Sequence, residues 1–419
     1  MTCTSAYHDQ LVEVRRHLHA MPEEGWSEFT TTVFVIGKLR EYGYEVLTGT
    51  KVINPDNCLG RNPKVVEAGL AFARANGVSE ELLAEMEGYT GCVGVLDTGR
   101  PGPTLAVRFD IDCVPVTEST EADHLPAKEG FVSTRPGLMH ACGHDMHAAV
   151  LFGVLKAFAE APDFRGTLFG LFQPGEECNP GGASLVLAEK PFEGYDVRAV
   201  VGEHVEPQLE VGTLGFRAGK YMAASDELRF RVRGTGGHGA MRKQLKDPVA
   251  AGAELLTRLI ALNGEECVLS IGRVEAGGAT NIVPDEIYME GTLRTFDERE
   301  RGIIHRRIEI IAADIDARHG VKTEVTIGRG YPCVVNDEIL VKQATALAKA
   351  EKLKVEMLPL RTTAEDFGFY CKQYPSLFYR LGVGAAAGRP HTATFFPDEA
   401  AIGVGIAYMR KLALQLLEK

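Results

Sequence analysis

TLAVRF, residues Thr104–Phe109, is a short apolar run with Gly102 and Pro103 in front of it and the acidic stretch FDID, Phe109–Asp112, at its end. A run of this length and composition reads as a buried strand. Val93–Leu96, Thr167–Phe172 (TLFGLF) and Ala199–Val201 read the same way. Between them, about Asp145–Glu160 reads as a helix. Its apolar residues Val150, Leu151, Val154, Leu155 and Phe158 recur at helical spacing and predict one buried face. Tyr7 to Tyr42 reads mainly as helix, broken around MPEEG. Strands that alternate with helices predict an α/β class, with a mixed sheet flanked by helices.

Working outward, the texture changes near Met222. ELRFRVRG alternates apolar and polar residues, as a half-buried strand does. A helix over about Pro248–Leu262 follows, then strands in CVLSIGRVEAG and EIYMEGTLRTF, a helix over about Glu298–His319 and a strand in KTEVTIG. The order β-α-β-β-α-β is ferredoxin-like. The expected organisation is one discontinuous α/β domain, residues 1–221 and 331–419, interrupted by an α+β insert at 222–330. A helical excursion is expected at about 50–90. Asn62 caps one helix, with Pro63 at its first position and Gly77 at its end, and Ser79 caps a second. Surface decoration and a substrate-shaping lid are both open for it.

A chain of 419 residues exceeds one ordinary core and predicts two domains. Its net charge of −12 argues against nucleic acid as a partner. No apolar stretch reads as a membrane span, and the opening MTCTSAYHDQLVEVRRHLHA lacks the pattern of a signal peptide. Nine irregularly spaced cysteines fit free thiols in a reducing cytoplasm.

The chemistry gathers at strand ends. MHACGHDMHAAVLFG, Met139–Gly153, places Cys142 and His144 one residue apart at the mouth of the helix. FQPGEE places Glu176 and Glu177 just beyond a strand. Adjacent carboxylates repel, and a metal accounts for the pair: one ligates while the other serves as general base. His204 in VVGEHVEP, His391 in GRPHTATFF, and Asp110 and Asp112 in FDID occupy similar junctions. Thiolate and imidazole suit zinc, and imidazole also suits manganese. Open α/β sheets place their sites at strand ends. Two alternatives remain: a hydrolase with Cys142 as nucleophile and a histidine as base, or a non-catalytic partner subunit on the same scaffold.

MHACGHDMHAAVLFG, FQPGEE, GEHVEP with GTLGFRAG, GTGGHGA, ATNIVPDEIYMEGTLRTF, AEDFGFY and PHTATFFPDE occur in that order. Together with RRHLHAMPEEGWSEF they make nearly the whole chain resemble metal-dependent amidohydrolases of the aminoacylase and carboxypeptidase G type. Hippurate, indoleacetyl-amino-acid and N-acetyl-diaminopimelate hydrolases form the nearest branch. The resemblance implies that Cys142, His144, Glu177, His204 and His391 hold two divalent ions, zinc or manganese. Glu176 would be the base and Asp112 a supporting carboxylate. His238 would reach across a dimer interface to polarise the scissile carbonyl. Asn281 and Arg294 would receive the substrate's carboxylate. The inserted domain would mediate dimerisation, giving a homodimer or larger homo-oligomer, or a hetero-oligomer with a related subunit. The excursion is similar to one in p-aminobenzoyl-glutamate hydrolase, in the first of its two kinds of polypeptide. This points to N-acyl or N-aroyl amino acids as small-molecule substrates, with Arg242 and Lys243 as candidate contacts for a glutamate side chain.

Other features carry less. GTGGHG lacks the spacing of a dinucleotide loop. His147 is expected behind the site or packed in the helix. His19 is expected to line the pocket or face solvent, and Glu365 and Asp366 to orient ligands or open a helix. The remaining cysteines are expected to pack as small apolar side chains, with Cys178 a candidate for thiol reagents. Trp26 is expected near the pocket entrance or against the N-terminal helix.

Overall fold

The computed structural model describes residues 7–58 and 60–418. Its contacts divide the chain into two compact units. The first comprises the chain to Gly219, Val335–Pro359 and Phe369–Lys419; the second comprises Lys220–Val334 and Leu360–Gly368. The insert thus runs a few residues past the expected 330 and takes in Leu360–Gly368, which the sequence reading assigns to the α/β domain. That segment joins the second unit through main-chain hydrogen bonds, with Ala223 N–H donating to the carbonyls of Arg361 and Thr363. Such pairing leaves no side-chain pattern to read.

The first unit is built on an eight-stranded mixed sheet. In chain order its strands are β1 Glu45–Thr48, β2 Cys92–Asp97, β3 Thr104–Asp110, β4 Thr167–Gln173, β5 Val197–Glu206, β6 Thr213–Phe216, β7 Lys354–Met357 and β8 Ser376–Gly382. They lie side by side as β1-β2-β4-β3-β5-β8-β6-β7. The central four, β4-β3-β5-β8, run parallel. Every residue of β3 and β4 is buried, which is why both read as unbroken apolar runs. Gly170 in β4 lets the helix layer approach: a Cβ there would stand 2.5 Å from Leu155 Cδ1.

Helix His144–Glu160 crosses this sheet and packs on β3, with helices His8–Ala20 and Ala400–Glu418 against it. Its periodicity predicts one buried face, but the helix is enclosed on all sides. From His144 to Phe158 only Lys156 is not buried. Three of its polar residues, His144, Asp145 and His147, crowd the first turn, and from Ala148 to Ala159 only Lys156 is polar. Helix Ala400–Glu418 is long and apolar enough to cross a membrane by length and composition. Here Ile402, Ile406, Met409 and Leu412 are buried in the unit's core.

The break at MPEEG separates helix His8–Ala20 from helix Phe29–Glu41. Glu23, within the break, caps the second helix by accepting the N–H groups of Thr30 (3.1 Å) and Thr31 (2.8 Å). The excursion is helical as its caps indicate. Asn62 accepts from Lys64 N–H at the start of helix Pro63–Ala75, and Ser79 accepts from Leu82 N–H at the start of helix Glu80–Glu85. Helix Pro63–Ala75 packs on helix Phe29–Glu41.

The second unit is a four-stranded antiparallel sheet, in the order Cys267–Glu275, Glu286–Thr295, Ala224–Arg233, Lys322–Arg329. Helices Pro248–Ile260 and Glu298–His319 share its apolar core. Strand and helix order are those of a ferredoxin-like fold. Arg301 reaches from the longer helix to the buried carboxylate of Asp226, with Nε 3.0 Å from Oδ2, and His305 adds a contact at 2.6 Å.

Candidate metal centre

The carboxyl ends of β3, β4 and β5 meet the first turn of helix His144–Glu160 in the first unit. Gly143, between Cys142 and His144, has φ 90°, and a Cβ there would stand 2.7 Å from Val205 Cγ2. Only glycine fits that close a turn in that conformation. Cys142, His144 and His204 come close enough to share one ion, and so do Cys142, Glu177 and His391. The two groups overlap on the Cys142 thiol. Its Sγ lies 3.4 Å from His204 Nε2, and His391 Nε2 lies 3.0 Å from Glu177 Oε1. His144, Glu176 and Glu177 form a third close group.

Each ring is held so that one nitrogen is spoken for. His144 Nδ1–H donates to the Asp112 carbonyl at 2.8 Å, and His204 Nδ1–H donates to the Val205 carbonyl at 2.8 Å. His144 Nε2 is buried and has no hydrogen-bond partner among the described residues. A buried imidazole nitrogen in that state is costly unless a cation or proton meets it. Thiolate, imidazole and carboxylate donors in overlapping threes therefore fit divalent metal ions.

Electrostatics agree. Burial pulls the His144 imidazole down, but Asp110 and Cys142 outweigh it and hold it well above its ordinary range. Cys142 and Glu177 raise His391 to about 10. Burial pushes Glu177 up, yet the hydrogen bond from His391 and the charge of His144 leave it below the carboxylate range. His204 is driven well below its ordinary value by burial and by Arg380.

The surrounding layer fixes these parts. Asp112 accepts Glu177 N–H on Oδ2 at 2.9 Å. His147 is bonded on both sides: Nδ1–H donates to Asp110 at 2.5 Å, and Nε2 accepts Val205 N–H at 3.0 Å. Arg108 closes that chain on Asp110 at 2.9 Å. His147 thus ties β3, β5 and the helix together. His391 adopts a left-handed backbone (φ 59°), strain of a kind that gathers at functional loops.

Several expectations change. His19 neither lines an open pocket nor faces solvent. It is fully buried, donating to Asp145 (2.9 Å) and Glu118 (2.7 Å), and its imidazole is raised because these carboxylates outweigh burial. Glu118 also takes His124 at 2.9 Å. Glu118 carries no local sequence signal. Trp26 packs on the Gly175 turn beside the glutamate pair, where a Cβ would stand 2.8 Å from its ring. Cys58, Cys178 and Cys371 are half-buried, not core residues. Burial and the carboxylates of Asp112, Glu28 and Glu177 push the Cys178 thiol far up. Iodoacetamide at pH 8 should therefore alkylate Cys178 much more slowly than a free cysteine, as peptide mass spectrometry would record. Alkylation at the free-thiol rate would contradict this assignment.

The second unit holds the remaining candidates. His238 and Asn281 are exposed at one short antiparallel ladder, where Gly239 N–H donates to the Asn281 carbonyl and His238 pairs with Ile282. Arg294 is half-buried near the far end of strand Glu286–Thr295, about 27 Å along it from Glu286. Within one chain the second unit does not bring Arg294 to His238 and Asn281. Arg242 and Lys243 are exposed, and Arg242 lies 3.8 Å from Asp247. Glu365 and Asp366 are buried, with Glu365 accepting Phe367 N–H at 3.1 Å.

Known proteins place this arrangement. Residues 106–415 match the family described as peptidase family M20/M25/M40. An N-acetyldiaminopimelate deacetylase of Exiguobacterium sibiricum is 33% identical over 397 residues, 93% of this chain and 95% of that protein. An N-acetyl-L-cysteine deacetylase of Bacillus subtilis is 31% identical, with 99% of this chain and 90% of that one covered. A Haemophilus influenzae protein named as a homolog of a p-aminobenzoyl-glutamate hydrolase polypeptide is 31% identical, with 98% of this chain and 99% of that one covered. Among solved structures, a Bacillus subtilis dinuclear metal-binding peptidase of the M20 family superposes with a TM-score of 0.79 at 29% identity, covering 99% of each chain. Motif order, the overlapping donor groups and these likenesses agree: the chain belongs to peptidase family M20/M25/M40.

Proposed function

We propose that the protein hydrolyses the amide bond of N-acyl or N-aroyl amino acids with two divalent metal ions, zinc or manganese. The observation that carries this reading is the pair of donor groups overlapping on Cys142, with Glu176 next to Glu177 at the same strand end. Cys142, His144 and His204 would hold one ion; Cys142, Glu177 and His391 would hold the other. When bound, such ions acidify water and polarise a carbonyl. Glu176 takes the water's proton and returns it to the leaving amine. The Asp112 carboxylate holds the main chain of Glu177 and the Asp112 carbonyl accepts from His144, so both ligands keep their orientation.

His238 is exposed, on the short ladder it forms with Ile282. In this reading the insert mediates a homodimer, and His238 serves the partner copy's site by donating to the developing oxyanion. Asn281 and Arg294, which one chain does not bring together, would meet across that dimer, one from each copy, to receive the substrate's carboxylate. The likeness to deacetylases and to the p-aminobenzoyl-glutamate hydrolase homolog supports an amino-acid leaving group. The resemblance of the helical excursion to one in p-aminobenzoyl-glutamate hydrolase places an aroyl-glutamate among the candidate substrates, beside the acetyl amino acids named for the deacetylases.

The test is a hydrolysis panel of p-aminobenzoyl-glutamate, hippurate, N-acetyl amino acids and indoleacetyl conjugates, run with manganese or zinc and with a chelator. We expect turnover of at least one class, lost on chelation and restored by metal. Activity that survives chelation would favour Cys142 as a nucleophile. Silence across the panel with metal bound would sink this substrate class.

A further inference from the structure

Glu28 immediately precedes helix Phe29–Glu41 and is fully buried. Its Oε1 accepts Gly175 N–H at 2.8 Å, and its Oε2 accepts the Thr90 hydroxyl at 2.6 Å. Gly175 is the residue before Glu176. It has φ +61°, and the Trp26 ring occupies the space where a side chain would begin. On the other side of Glu176, Glu177 N–H donates to Asp112 at 2.9 Å. The main chain is thus anchored on a carboxylate one residue before Glu176 and again directly after it. Glu28 itself belongs to none of the metal-capable groups among the described residues. A buried carboxylate is costly unless its bonds are needed. Thr90 also ends the excursion, so its return into β2 is fixed on the same carboxylate.

We propose that Glu28 is a positioning residue: its carboxylate holds the turn that presents Glu176 to the reacting water. This rests on the assignment of Glu176 as the base. The side chain works as a hydrogen-bond acceptor and not through its charge. Gln at 28 would offer an oxygen to Gly175 N–H and an NH2 group to the Thr90 hydroxyl. Ala would leave a buried N–H unpaired, and Asp would fall short of one of the two donors.

The test compares Glu28→Ala, Glu28→Asp and Glu28→Gln as full-length, metal-loaded enzymes. Glu28→Ala should lower kcat about ten- to a hundredfold with KM and metal content nearly unchanged, the range seen when supporting partners of a metal site are lost. Glu28→Asp should fall part of the way, and Glu28→Gln should stay near wild type. Hydrogen exchange of the metal-free protein supplies a readout that needs no turnover. The Gly175 amide should exchange faster in Glu28→Ala and Glu28→Asp, and at the wild-type rate in Glu28→Gln. Should Glu28→Ala not fold, the Asp and Gln variants carry the comparison. Wild-type kcat and Gly175 exchange in Glu28→Asp would overturn the proposal. So would a Gln variant as impaired as the Asp variant at equal melting temperature. A wild type silent on every amide, with exchange changed as described, would count against the proposed reaction and leave Glu28's hold on the turn standing.

Discussion

Glu176→Gln should lower kcat by about a hundred- to ten-thousandfold while the metal content stays at the wild-type level. That is the span expected when a positioned general base is lost. The substitution keeps the size of the side chain and removes its ability to take a proton. Both overlapping donor groups on Cys142 are untouched by it. Glu177→Gln is the informative contrast. Glu177 belongs to the group with Cys142 and His391, so this variant should lose metal as well as rate. Steady-state kinetics beside elemental analysis separate the two. A Glu176→Gln enzyme within tenfold of wild type would place the base elsewhere.

Arg15→Ala should destabilise the first unit by about 3–5 kcal/mol, the cost of stranding one partner of a buried ion pair. Arg15 is fully buried, with Nε 2.9 Å from Asp145 Oδ2 and a second bond to the Pro397 carbonyl at 3.2 Å. Burial would raise Asp145, but Arg15 and His19 outweigh it and hold the carboxyl well below its ordinary range. A carboxyl depressed by folding contributes stability above its unfolded value, near 4. That contribution drains away as pH falls toward the folded value. The gap between wild type and Arg15→Ala should accordingly be full near neutrality and shrink in acid. Denaturant titrations at several pH values would show it. Equal midpoints at neutral pH would mean the pair contributes nothing.

The central strands are legible because burial on both faces turns them into continuous apolar runs, as in TLAVRF and TLFGLF. The insert is legible for the opposite reason: ELRFRVRG alternates, and strand Ala224–Arg233 alternates in burial to match. Capping residues announce the excursion because a cap is a local hydrogen bond. The metal-capable cluster can be picked out because its residue types are rare together. What escapes is long-range. Glu28 meets Gly175 across 147 positions, and Arg15 meets Asp145 across 130. A buried Glu or Arg far along the chain from its partner looks like any surface residue until the fold is known. Helix His144–Glu160 departs from its expected single face because periodicity reports where apolar residues fall, not how many neighbours surround the helix.

That helix, enclosed on every side, bears on adaptability. A library randomised along it should return almost no working clones, since each position from His144 to Phe158 except Lys156 already touches packed atoms. The Cys142–His144 turn is mounted at the end of this unyielding rod. Tolerance of substitution must then lie elsewhere, on surfaces with room to vary, such as the outward side of helix Pro63–Ala75, where Lys64, Glu67 and Ala71 face solvent. The protein separates a part that resists innovation from parts that permit it, and directed evolution of the enzyme would do well to begin with the second.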